Sequence, residues 1–266
     1  MALIPFARQT RGLVGEGGLL GDVSILDRLD EFRKRIVRAL LAVAGGALLG
    51  FIFIDRLVAF LLQPTRHALP AGTTLIYTQP GEAFSLYVLV ALLSGVVFAM
   101  PFVMYQLWRL IAPLVPPTAR RFALPFVGFT TLGFVGGAAF THFIAFPYMM
   151  AFFASFNTPD LLFLPQLDDV FDLYTKMVLG MALVFQMPTV VFFLAKTGLI
   201  TAGLLWRSFR YAFLVIFIAA AVITPTGDMV TQTIFAAPMV GLYLLSIGIA
   251  WLFGRSTPTP SGPRDE

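Results

Sequence analysis

The sequence has no cysteine, only two histidines and little charge. The first absence excludes disulfide staples, thiolate metal sites and cysteine nucleophiles together. His67 and His142 have no serine and acid at a recognisable spacing, and no His-x-x-x-His, Gly-x-Ser-x-Gly or phosphate-cradling loop is present. No catalysis, cofactor or metal is therefore expected. Charged residues make up 12% of the 266, where a soluble domain carries about 25%. No basic polar face exists for nucleic acid. No stretch from Met1 to Gly21 is apolar enough for a signal-peptide core, so the N-terminus is expected to be retained.

What is abundant is apolar. Hydrophobic residues reach 58% and mean hydropathy is +0.87, so lipid is the solvent for most of the chain. A membrane span needs about 20 mostly apolar residues. Six stretches answer to this, over about 36–54, 83–108, 122–146, 174–195, 211–224 and 231–253. The fifth is short, yet Arg207 and Arg210 before it and Thr224-Pro-Thr-Gly-Asp228 after it bracket a complete crossing. The expected fold class is an all-α integral membrane protein of six transmembrane helices. Its body covers 25–253, between an N-terminal tail over 1–24 and a disordered tail over 254–266.

Six spans place both ends on one side. Fifteen of the 18 basic residues fall there, the exceptions being Arg56, Arg66 and Lys176. Basic loops stay in the cytoplasm, so both termini are expected inside a cytoplasmic membrane. Two outer loops, about 55–82 and 147–172, read as a cap because proline and asparagine break helices. Asp168, Asp169 and Asp172 in the second read as a solvated edge in preference to metal ligands. No internal repeat is visible, which weakens a six-span solute or ion transporter as the alternative function.

The stretch from Ser24 to Ile36 is the most informative. Ser24 with Asp27 resembles a capping box, so a helix is expected to begin near Ile25. Ile25, Leu26, Leu29, Phe32 and Ile36 recur at helical spacing, while Asp27, Asp30 and Glu31 face Arg33, Lys34 and Arg35. Two readings stand: an interfacial helix with internal ion pairs such as Glu31–Arg35, or a docking site whose acids receive a cationic partner. Inside the spans, His142 and Gln106 read as interhelical hydrogen bonds. Glu82, Gln186, Asp228 and Gln232 draw more interest, since three of them lie near Pro80, Pro188 or Pro225.

The segment Leu29-Asp-Glu-Phe-Arg-Lys-Arg-Ile36 resembles the amphipathic first helix of the TatC family, the multispanning subunit of the twin-arginine protein translocase. The resemblance continues through Pro80-Gly-Glu-Ala-Phe84, Pro101-Phe-Val-Met-Tyr-Gln-Leu-Trp108, Ile111-Ala-Pro113 and Arg120-Arg121. It recurs in Phe143-Ile-Ala-Phe-Pro147, Phe185-Gln-Met-Pro188, Thr224-Pro-Thr-Gly-Asp228, Thr231-Gln232 and Ala237-Pro238. It implies a concave, glove-like receptor for twin-arginine signal peptides of folded proteins. It also implies single-span TatA- and TatB-like partners, an oligomeric complex and transport driven by the proton motive force. By the same resemblance, Glu31 meets the signal arginines. Arg33, Arg35, Leu110, Arg120 and Arg121 shape that surface, with Asp30 beside Glu31 and Asp27 one turn before it. Pro64, Phe84, Glu82, Gln186, Asp228 and Gln232 mark the concave wall or partner contacts. Four positions depart from the family: Ala119, Gln186 and Leu244 replace glutamates, and Leu89 replaces a lysine. The first removes the second acid expected to meet the signal arginines.

The charge asymmetry makes a direct prediction about topology. A reporter active only outside the cytoplasm should be active when fused after Pro159 and silent when fused after Gly254. The opposite pattern would reverse the orientation.

Overall fold

The computed structural model describes residues 16–68, 75–114, 123–158, 163–224 and 228–254. Helix α1 runs over Glu16–Ile52, α2 over Ile54–Ala68 and α3 over Glu82–Ile111, which a short 3-10 turn extends to Leu114. Helix α4 (Ala123–Phe140) passes through a π-turn at Thr141–Ala145 into α5 (Phe146–Ala154). Then follow α6 (Leu167–Val184), α7 (Met187–Thr197), α8 (Ala202–Arg207), α9 (Phe209–Ile223) and α10 (Met229–Phe253). Five helical stretches among the described residues have membrane length and apolarity: Leu29–Ile52, Glu82–Ile111, Ala123–Ala154, Leu167–Lys196 and Met229–Phe253. The sixth, Phe209–Ile223, is shorter.

Three expectations change. The helix does not start at a Ser24 cap: its backbone is already helical from Glu16, and Ser24 is an interior residue. No proline lies between Glu16 and Ser24, and extending a helix is easier than nucleating one. The first outer loop is largely helical, with Pro64 inside α2. Its apolar residues Leu57, Val58, Leu61 and Leu62 pack against Leu86, Val90, Leu167 and Phe171, and this burial outweighs the hydrogen bond the proline loses. The second outer loop is also shorter than expected. The third span continues through Pro147 to Ala154, and the fourth begins at Leu167. Asp168 and Asp169 sit in the first turn of α6, where they complement the helix dipole, and Asp172 pairs with Lys176 at 2.5 Å. The two outer segments meet in one parallel bridge, Ile76 with Gln166, where Leu167 N donates to Ile76 O at 2.9 Å.

Both π-turn and break have a proline cause. Pro147 cannot donate to Phe143 O, and its ring crowds that carbonyl; the wider π-turn just before it relieves the crowding. Pro188 does the same to Val184 O, and α6 stops there before α7 resumes. The fourth span is therefore two helices in one crossing.

The helices touch mainly in a row, α1 on α3, α3 on α4, α4 on α6, with α10 joining α7 and α9. Apolar attraction does not drive this in lipid, so close backbone approach must. A Cβ on Gly46 would stand 2.7 Å from Gly95 O, and one on Gly95 would stand 2.6 Å from Ala47 N. Gly46-x-x-x-Gly50 thus seats α1 on α3. Gly137 does likewise on α6, where a Cβ would meet Met181 O at 2.7 Å, and Gly133 lies one turn before it against Phe185 O. The largest buried cluster, with Phe146, Met149, Met177, Met181, Phe235 and Met239, joins α5, α6 and α10.

Gly95→Leu should force these backbones apart at a cost of about 1–3 kcal/mol. Each kcal/mol should lower the thermal midpoint of the detergent-solubilised protein by roughly 2–4 °C. Gly128→Ala, whose methyl meets open space within α4, should not lower the midpoint.

Candidate functional site

Helices α1 and α3 are antiparallel, because Gly46 faces Gly95 while Gly50 faces Ala91 and Ser94. Glu31 precedes Gly46 and Leu110 follows Gly95 by the same fifteen residues, roughly 22 Å of helix axis. The pairing therefore brings Glu31 and Leu110 to one level at the same end. Leu110 is half-buried, Arg33 exposed. Arg35 is buried and donates from Nη2 to Glu31 Oε1, so the ion pair read from i, i+4 spacing is present. The Glu31 side chain is still 54% exposed against 10% for Arg35. A carboxylate has about four lone-pair sites, so this one keeps capacity for a further donor. Lys34 stands 4.0 Å from Asp30, a loose surface pair worth little.

Asp27 belongs to α1, but its side chain lies outside the described residues, as do Ala119, Arg120 and Arg121. An aromatic knot braces the same end. Trp108 of α3, Phe126 of α4 and Phe193 of α7 have ring centroids 4.9–5.2 Å apart. Gln106, one turn from this knot, is buried with Oε1 lacking a hydrogen-bond partner among the described residues, so the expected interhelical bond is not formed through it.

Gln186 sits at the break in the fourth span. Its backbone N–H reaches back to Leu183 O, which leaves Ala182 O without its usual helical donor. The side chain repairs this: Nε2 donates to Ala182 O at 3.2 Å and across to Thr130 O of α4 at 3.1 Å. Oε1 is buried and lacks a hydrogen-bond partner among the described residues. The amide is thus a structural bridge with one open acceptor.

The other wall residues divide by role. Asp228 caps α10, its Oδ2 accepting from Thr231 N at 2.7 Å. Gln232 Nε2 donates to Phe217 O at 2.9 Å and ties α10 to α9. Glu82 Oε1 accepts from Thr78 Oγ1 at 2.9 Å and from Gln79 N at 3.0 Å, which fastens the loop entering α3. Phe84, largely exposed, lines with Glu82, Asp168 and Phe171 a groove of about 350 Å³. Pro64 is buried in α2 and lines a separate opening of about 440 Å³ with Gln63, His142 and Tyr148. His142 makes the expected interhelical bond, Nδ1 to the Tyr174 hydroxyl at 3.0 Å, with its ring stacked on Phe60. Leu89 packs against the Leu62–Phe171 cluster, and Leu244 is exposed. The glycine seats were missed in the sequence, although Gly46-x-x-x-Gly50 and Gly133-x-x-x-Gly137 are visible there.

Gln186→Leu should remove both carbonyl contacts at a cost of about 0.6–1.7 kcal/mol. A thermal midpoint lowered by a few degrees at normal expression would show it; an unchanged midpoint would reduce Gln186 to a space-filler.

A family model described as Sec-independent protein translocase protein (TatC) matches residues 27–238. The TatC protein of Koribacter versatilis is 39% identical over 238 residues, covering 88% of this chain and 87% of that one. That of Desulforapulum autotrophicum is 36% identical over 229 residues, with 86% and 84% covered. The chloroplastic TATC of Arabidopsis thaliana is 32% identical over 232 residues, with 87% and 66% covered. A crystal structure of the twin arginine translocase receptor TatC superposes with a TM-score of 0.72 at 29% identity, covering 84% of this chain and 97% of that one. These matches do not favour a solute transporter. The chain belongs to the TatC family, a multi-pass membrane component of a protein translocase and not an enzyme.

Proposed function

We propose that this chain is the receptor and core subunit of a twin-arginine translocase. It binds the twin-arginine signal peptides of folded proteins and exports them with TatA- and TatB-like single-span partners, using the proton motive force. It lies in the cytoplasmic (inner) membrane with both termini inside, its translocase body spanning 25–253. The observation that carries the reading is Glu31: an exposed carboxylate at the α1–α3 end, oriented from below by the buried Arg35 guanidinium. The likeness to a solved structure whose name is that of the translocase receptor supports it.

Two arginines of a signal peptide need anionic partners. Glu31 offers the first, through lone pairs that Arg35 leaves open. Asp27, one turn earlier on α1, takes the second in place of the acid missing at Ala119. Arg33, Arg120 and Arg121 limit how the peptide backbone approaches, and Leu110 offers an apolar contact at the same level. Gln186, with its open acceptor, and Asp228 with Gln232 serve partner helices further along the wall. Pro64, Phe84 and Glu82 shape its outer rim.

Removing one partner of a charged hydrogen bond costs about 1.5–3 kcal/mol, roughly a tenfold to hundredfold loss of affinity. Glu31→Gln should show such a loss in precursor pull-down from solubilised membranes, and Glu31→Lys should abolish binding. Asp27→Asn should weaken it and Ala119→Glu should strengthen it. If Glu31→Lys retains a twin-arginine precursor as well as the parent, Glu31 is not the docking acid.

A further inference from the structure

The corner between α7 and α9 carries chemistry that signal recognition does not use. Thr201 caps α8, its hydroxyl accepting from Leu204 N at 3.3 Å. At Ser208 the helix breaks for one residue before α9 begins. The Tyr243 hydroxyl of α10 donates to Leu205 O at 2.8 Å across this break, which pins the corner to α10. Ser208 keeps right-handed angles (φ −83°, ψ −2°), so Arg207 and Arg210, three positions apart, emerge on one side.

Both arginines are exposed, and neither pairs with a carboxylate among the described residues. Arg210 is held in place. Its guanidinium carbon lies 4.7 Å from the Tyr211 ring centroid, and Nη2 donates to the Tyr211 hydroxyl at 3.1 Å. The remaining guanidinium N–H groups make no hydrogen bond among the described residues. Leu204, Trp206 and Tyr211 are exposed beside them, Trp206 at 65% and Tyr211 at 60%. Exposed tryptophan and tyrosine at a span's end sit among lipid headgroups.

The span itself brings the headgroups near. Helix α9 has 15 residues, roughly 22 Å of axis, against a hydrocarbon core of about 30 Å. Local thinning of the bilayer is one way so short a span is accommodated, and it would bring the phosphates toward the level of the corner.

From this arrangement we infer that the α8–α9 corner binds the phosphate of an anionic phospholipid. Arg207 and Arg210 clamp the phosphate oxygens, and Trp206 and Tyr211 rest at the headgroup boundary. Planar guanidinium forks suit phosphate oxygens, and a net-negative headgroup answers the two uncompensated charges. A soluble acidic peptide would leave Leu204 and Trp206 in water, so the lipid is the better fit. The site stands whether or not Glu31 receives a signal peptide.

Native mass spectrometry of the full chain, released from micelles holding equal phosphatidylglycerol and phosphatidylcholine, tests it. The parent should retain phosphatidylglycerol preferentially. Arg207→Gln with Arg210→Gln should lower that preference about tenfold or more. Arg109→Gln, which removes a charge at the end of α3 on the same membrane face, should change it little. Tyr211→Leu keeps both charges but unpins Arg210, and should lower the preference severalfold; it decides the matter if the double variant does not fold. A loss in the double variant no larger than that of Arg109→Gln, or no loss with Tyr211→Leu, would overturn the site. Displacement of the lipid by millimolar inorganic phosphate or by a soluble acidic peptide would overturn it as well.

Discussion

Hydrocarbon offers a backbone no water, so every N–H and C=O released by a broken helix must be paid back from within the protein. That constraint organises this fold. The chain breaks its spans where Pro147 and Pro188 intrude and turns at Ser208 between the fourth and fifth spans, and beside each of these a side chain supplies a hydrogen bond. Thr141 Oγ1 donates to Gly137 O at 2.9 Å at the π-turn. Gln186 Nε2 donates to Ala182 O at the Pro188 break, and the Tyr243 hydroxyl to Leu205 O at the corner. All three donors come from outside the damaged turn or reach a neighbouring helix as well, Thr141 Oγ1 reaching Met177 O of α6 at 3.5 Å. Repair and assembly are one set of bonds, which lets a wall of irregular helices stay in one shape.

The glycine contacts are the other half of the same constraint. Lipid tails match leucine in apolarity, so burying leucine between helices gains little there. What remains is dispersion and contact between backbones, and that requires the Cβ to be absent. Gly46 against Gly95 fixes where α1 crosses α3. That crossing in turn sets Glu31 level with Leu110 some fifteen residues away. The end that carries Glu31 and Leu110 is thus placed by a contact deep in the membrane.

Much of this is legible in the residues, and the exceptions share a cause. The limits of α9 and α10 fall near the arginines, prolines and Asp228 that flank them, because charge and caps act locally. The Glu31–Arg35 pair follows from spacing alone. The helical course of α2, the run of α5 past Pro147 and the early start of α6 do not follow. The first two turn on a proline whose breaking tendency is overridden by packing against distant residues, Leu86 and Phe171 for α2 and Met177 and Phe235 for α5, and the third on acids that favour the first turn of a helix. That Gln106 finds no partner for Oε1, while His142 finds Tyr174, is equally a matter of tertiary neighbours that spacing does not encode.

Gln186 shows how a departure from the family pattern can be read chemically. The two groups its side chain faces within 3.2 Å are both carbonyl oxygens, Thr130 O and Ala182 O. An amide donates to both with one nitrogen. An ionised carboxylate there would donate to neither and would face two negative dipole ends; only as a neutral acid would it donate, and then to one. In this chain's geometry the amide therefore suits the break in the fourth span better than an ionised acid. Any cost would fall on the partner contact proposed for Gln186, since a fixed negative charge becomes a single neutral acceptor at Oε1. On that proposal, a partner helix that meets this wall would gain from a neutral donor, such as a hydroxyl or amide, and little from a cation.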